Sequence, residues 1–363
     1  MIGIRIVPIA FVSAVIGQLV EPALGQATET TPQPIPRMTD AAEAFTSSLD
    51  TDSAQKVLFE FGNETERKDW SNIPVAGHPR NGLSLEDLSD AQKILAHRLI
   101  DSALSTQGYA KVYGLIQLDD ILGVLMEESR PGTGQYFGSE KFWLAIFGKP
   151  GGKDPWGWQL DGHHLAINTT VVGDRLSLTP MFLGVEPDVV PRGPYAGLQI
   201  LGAERRKALA LMRSLSTDQR SHAILSNSIP LDIFEGPGRA KSLTKFEGIT
   251  AAQMSNDQRA LLWALIDEYL ENCAERVAST RKAKIRADGD ASLYFAWMGP
   301  IAEEANVYYR VHGPSILIEY DNTSVGEDGE YSNHVHTILR EPSNDFGEDI
   351  LHRHYEESEH HQH

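Results

Sequence analysis

Two stretches of the chain, WGWQLDGHHLAIN at residues 156–168 and VYYRVHGPSILIE at residues 307–319, change the parity of their apolar positions at a glycine. In an extended strand, side chains of equal parity share a face. Trp158 and Leu160 are even while Leu165 and Ile167 are odd; Tyr309 and Val311 are odd while Ile316 and Ile318 are even. A strand that ran straight through would turn half of these residues to water, so each stretch has to break, by a bulge or a tight bend, near Gly162 and near Gly313. Pro314 donates no ladder hydrogen bond and fits such an interruption. An apolar run ending in glycine precedes each stretch, WLAIFGKP at 143–150 and YFAWMGP at 294–300, and one offset aligns Ala145 with Ala296, Gly148 with Gly299, Gly162 with Gly313 and Ile167 with Ile318. The pattern predicts an internal duplication of a helix-then-hairpin unit, over about residues 88–175 and 254–340.

Helices complete the unit. LSDAQK at Leu88, LSTDQR at Leu215 and MSNDQR at Met254 each place Ser three residues before Gln ahead of an apolar periodic run. That spacing is a capping box, in which the Ser oxygen satisfies an orphan backbone donor and the Gln reaches back to the cap. Lys93, Arg220 and Arg259 stand where the apolar partner of a hydrophobic staple would sit. Helices are predicted over 89–104, 109–127, 200–213 and 255–278, the last with Leu261, Leu262, Leu265, Ile266, Tyr269, Leu270, Cys273 and Val277 on one face. The expected fold is α+β: two pseudo-repeated helix-plus-hairpin units forming a mixed, largely antiparallel sheet core with flanking helices.

Residues 1–27 carry an early Arg, an apolar run from Ile6 to Val20 and small residues at Ala23, Gly25 and Ala27, the anatomy of a secretory signal. A Thr- and Pro-rich stretch over 28–40 reads as a flexible leader, 41–355 as one globular domain, and 356–363 as a His- and Glu-rich tail. The expectation is a secreted or periplasmic protein with no membrane contact after signal cleavage. With a formal net charge of −18 and no basic stripe, the chain excludes a nucleic-acid partner. Its one cysteine, Cys273, falls on an apolar helix stripe and reads as a buried structural residue.

The chemistry-bearing residues are histidines. His334 and His336 in NHVHTILRE alternate with Val335 and Thr337, so a strand puts both imidazoles on one face, close enough to share a metal. His163 and His164 sit at the first predicted break, where one of the two is expected to be a ligand and the other a support. Pro314 and Ser315 take those positions in the second copy, so any site is asymmetric, and Glu319 or Asp321 of IEYDN supplies the acid, as ligand or general base. Asn168 and Asn322 are supporting candidates or ordinary turn residues. Arg310, Arg340 and Trp158 are candidate substrate contacts; ion pairing and core packing are the plainer uses of the same residues. DFG at Asp345 comes without the HRD and glycine-rich loops of a kinase, and in GKPGGKD Asp154 stands where a phosphate loop needs Ser or Thr.

PWGWQLDGHHLAIN, TPMFLG, YYRVHGPSILIEYDN, NHVHTILREPSNDFGEDILHRHY, RKDWSNIP and GLSLEDLSDAQ resemble the DUF3500 family of bacterial, mostly exported proteins, over about Phe59 to Tyr355. The resemblance implies a full-length domain with GHH, IEYDN and NHVH as signature stretches, and it carries over no catalytic residue. The leading functional expectation is therefore a metal-dependent hydrolase, with zinc first because imidazole and carboxylate ligands suit it and no thiolate is on offer, and copper or iron second. Two alternatives use the same residues: a non-catalytic metal- or ligand-binding protein, and an iron or copper oxidoreductase. The substrate class is left at a small molecule, sugar or peptide.

Overall fold

Leu144, Leu160, Ile167, Met181, Leu339, Ile318, Val311 and Phe295 stand opposite one another in a single row across eight paired strands. All of them are buried in one apolar cluster with Leu99, Ile100, Leu115, Leu262, Leu265 and Ile266 of the helices. Registered pairing places whole rows of side chains on one face, so this row makes the helix-covered side of the sheet. The structure, a computed structural model, describes residues 34–322 and 333–357. The expected signal at 1–27, the expected leader of 28–40 as far as residue 33, and the expected tail of 356–363 from residue 358 lie outside the described residues.

The sheet has twelve strands and is mixed, largely antiparallel, as the α+β reading expects. Its centre is the antiparallel pair Met181–Val185 and Val335–Arg340, with a hairpin on each side: Gly157–Gly162 with Leu165–Asn168, and Tyr308–Gly313 with Ile316–Asp321. Strands Phe142–Phe147 and Tyr294–Met298 lie outside the hairpins, each carrying a short parallel neighbour, Leu58–Phe59 and Ile224–Ser226. The predicted breaks are two-residue hairpin turns, the tight bend and not the bulge: Gly162 pairs with Leu165 around His163 and His164, and Gly313 with Ile316 around Pro314 and Ser315.

All three Ser-x-x-Gln boxes are formed, at Ser89, Ser216 and Ser255. Two of their glutamines use the remaining amide group alike, Gln92 donating to the Ser48 carbonyl and Gln258 to the Ser214 carbonyl. The helices Pro34–Ser47 and Gly202–Ser214 stand ahead of the first and third boxes in matching places, and the described fold includes Pro34–Ser47 ahead of residue 41, with Met38, Ala42 and Phe45 buried.

The helix expected over 255–278 is two, Asn256–Leu270 and Glu275–Asp288. The break is the seam between the halves. Leu104 bridges Cys273, Ser105 N–H donates to the Asn272 carbonyl at 3.1 Å and Ala274 N–H to the Ala103 carbonyl at 3.0 Å, so these groups satisfy each other instead of continuing a helix. Cys273 is buried there, as read from its stripe. Lys111 crosses the same seam to Glu204 at 2.7 Å and Glu268 at 2.5 Å. Among the described residues no helix is long and apolar enough to cross a membrane.

Two outcomes follow for stability. A Cβ on Gly108 would lie 1.9 Å from the Asn272 carbonyl oxygen across the seam, so Gly108→Ala is expected to cost on the order of 3 kcal/mol in urea unfolding. His312, buried against the Phe246 ring, has its pKa pushed down to about 4 by burial and then by Arg310, with Glu247 opposing. The unfolded imidazole, near 6.5, takes a proton that the folded one refuses, so this contribution is full above pH 6.5 and is lost as the pH falls toward 4. Its size is about 3 kcal/mol, and His312→Gln should flatten that part of the stability–pH curve.

Candidate metal centre

The opposite face of the sheet is built differently. Asp161, Ala166, Phe182, Ile338, Glu319 and Arg310 form its central row, and beside it Gly184, His336, Asp321 and Tyr308 form the next. Val335 and Leu339 belong to the helix-side core, so His336 has to face the other way. His334, two residues back, joins it there: the two rings lie 4.5 Å apart between centroids.

The hairpin turn supplies the third ring. His164 occupies the second turn position with φ +59°, a left-handed conformation that costs a residue with a Cβ on the order of 1 kcal/mol. Its backbone is held on both sides, N–H to the Asn72 carbonyl at 3.2 Å and carbonyl from Gly184 N–H at 2.7 Å. The imidazole lies against Gly184, where a Cβ would stand 3.2 Å from His164 Cδ2. His164 Nε2 then faces His334 Nε2 at 2.5 Å. Ligand atoms of His164, His334 and His336 all lie within 4.8 Å of one another, and all three residues are buried.

Electrostatics fit this trio to a cation. Burial first, then the neighbouring His163, His334 and His336, hold His164 well below the usual imidazole range, so it stands neutral. The neutral His164 ring faces His334 through Nε2, and a lone pair at that nitrogen is the form in which histidine binds metal. His336 Nδ1 lies 2.8 Å from Asp232 Oδ1, and a donated Nδ1–H leaves Nε2 with its lone pair. Burial works to raise Asp232, but His336 and Arg239 together hold it below the ordinary carboxylate range. Glu186 Oε2 stands 3.8 Å from His334 Nδ1, close enough for charge attraction but not at hydrogen-bond distance. A second grouping, Asp232, Asp321 and His336, shares the His336 ring.

Two loops close over these rings, one from each half of the chain, and each is tied down by a buried carboxylate of the sheet. Asp161 accepts from Ser71 N–H at 3.4 Å and pairs with Arg80 at 3.0 Å, fixing the loop that brings the Asn72 amide 3.4 Å from His336 Nε2. Burial, against Arg80 and the Ser71 N–H, raises its pKa to about 7. Glu319 accepts from Phe234 and Glu235 N–H, both at 2.8 Å, and from the Tyr308 hydroxyl at 2.7 Å, fixing the loop that carries Asp232.

The sequence-derived candidates divide accordingly. His164, His334 and His336 are brought together; His163 turns away, its Nδ1 2.7 Å from Asp119 and its ring 3.7 Å from that of His164 between centroids, tilted by 31°. Asp321 is buried and lies 4.0 Å from His336 Nδ1. Glu319 spends its oxygens on the loop and is a positioning group, not a base. Arg340 is held by the Glu235 carbonyl and Asp345, and Arg310 pairs with Glu247; neither belongs to the histidine cluster. Trp158 lies in the helix-side core. Asn168 and Asn322 cap local backbone at Pro180 and Val307. Asp232, Asn72 and Glu186 escaped sequence reasoning because irregular loops carry no periodicity. Asp119 did leave a signal, as a charge on the buried stripe of the helix Thr106–Ser129.

A family model described as "Protein of unknown function (DUF3500)" matches residues 31–348. No curated protein and no solved structure matches the chain.

If Glu319 is the tie for the Asp232 loop, Glu319→Gln, which offers one acceptor where three donors converge, should cost about 2–3 kcal/mol in urea unfolding. A change below about 0.5 kcal/mol, the range of inert surface substitutions, would remove that role.

Proposed function

The chain belongs to the DUF3500 family, and we propose that it is an exported, metal-dependent hydrolase whose ion is held by His164, His334 and His336. The single observation that carries this reading is the convergence of three buried imidazoles from two distant segments, with ligand atoms within 4.8 Å. Zinc is the first choice, because three imidazole ligands and no thiolate suit it. When bound by three protein groups, such an ion leaves a position for water and brings that water's pKa to about 7, which supplies a nucleophile at neutral pH.

The protein's own groups have separate tasks. Asp232 fixes the tautomer and orientation of His336, and Glu186 faces the outer nitrogen of His334. The left-handed turn at His164 and the absent side chain at Gly184 bring the third ring within reach.

Elemental analysis tests this on untagged protein with His360, His361 and His363 changed to alanine, so that the tail cannot scavenge metal. The expected result is one zinc per chain, lost by at least tenfold in affinity in His164→Ala, His334→Ala and His336→Ala and kept in His163→Ala. Hydrolysis of chromogenic ester and phosphoester probes should vanish on chelation and return with zinc. Absent or sub-stoichiometric metal that these substitutions leave unchanged ends the metal reading; stoichiometric metal without hydrolysis favours the carrier role instead.

A further inference from the structure

A second site of different chemistry lies away from the histidines. A cavity of about 350 Å³ opens between the start of the first helix, the strand Arg175–Ser177, the helix Glu275–Asp288 and the C-terminal helix. Its size is that of a small-molecule pocket. Ile35, Leu176, Val277 and Ile350 give it an apolar lining, and none of the three clustered histidines touches it.

Asp174 lines the exposed rim of the cavity without an ion pair among the described residues, and one cation of its buried wall is likewise unmatched. Lys284 is matched by Glu341 and Arg353 by Asp349, both within the cavity, and Arg175 by Glu357. Arg281, which also lines the cavity, is 6% exposed. Its Nη2 donates to the Arg340 carbonyl at 3.1 Å, while Nε and Nη1 have no oxygen or nitrogen partner, and among the described residues no carboxylate pairs with it. Cys273 lies beside the guanidinium, but burial pushes that thiol's pKa up and it supplies no counter-charge. A lysine in this position would shed its proton. A guanidinium keeps its charge, so a buried one without an anion costs several kcal/mol and gains most from a ligand that brings one.

We propose that this cavity binds a small organic anion, its carboxylate or phosphate group held by the forked donors of Arg281 and its apolar body by Ile35, Leu176, Val277 and Ile350. Calorimetric titration of the full-length protein with benzoate and with phenyl phosphate tests it, with benzyl alcohol as the neutral control and inorganic phosphate as the charge-only control. Saturable binding of at least one aryl anion and none of benzyl alcohol is expected. Affinity should fall at least tenfold in Arg281→Met, and also in Thr280→Trp, which fills the cavity and leaves Arg281 in place. Unliganded Arg281→Met should be no less stable than the parent. The proposal is overturned if neither aryl anion binds, if both variants bind as the parent does, or if inorganic phosphate binds as tightly as phenyl phosphate.

Discussion

The antiparallel pairing of Met181–Val185 with Val335–Arg340 is the constraint on which the rest depends. It joins the two halves into one sheet, and its register decides what each face carries. Leu339 opposite Met181 continues the apolar row, while His336 opposite Gly184 opens the other face. A slip by one residue would drive both imidazoles of NHVH into the helix-side core and turn Val335 and Leu339 outward. The buried row of aliphatic side chains therefore enforces the register that the histidines need.

Two alike halves of the sheet supply the frame, and their differences supply the site. Each half contributes a hairpin, a capped helix pair and a loop that crosses the polar face, held by Asp161 in one half and Glu319 in the other. Both carboxylates are buried and both have their pKa raised by burial, so each loop is fixed against a desolvation cost and not by favourable charge alone. Such arrangements stabilise little but specify strongly, because removing either partner leaves buried donors unmatched. The turns differ where function would need them to: His163 and His164 in the first hairpin, Pro314 and Ser315 in the second.

What the sequence made legible follows from periodicity. The parity change at Gly162 and Gly313, the Ser-x-x-Gln boxes and the alternation of His334 and His336 with Val335 are local patterns whose physical meaning does not wait on tertiary structure. The helix break at Glu271–Ala274 was not legible, since the stripe from Leu261 to Val277 continues through it; only the bonds to Ala103–Ser105 end the helix. Asp232 and Asn72 were hidden for a related reason, because their place is set by loops anchored to residues about ninety positions away. Trp158 shows the converse: its parity with Leu160 already assigned it to the core, and its aromatic character suggested a substrate contact that the fold does not offer.

The central claim is that three imidazoles from the GHH turn and the NHVH strand share one cation. X-ray absorption at the zinc edge, on zinc-loaded protein lacking the tail histidines, reads that shell directly. Three imidazole nitrogens at about 2.0–2.1 Å, dropping to two in His164→Ala, is the predicted result. A shell of oxygen ligands, or an imidazole count unchanged by loss of His164, would contradict the account.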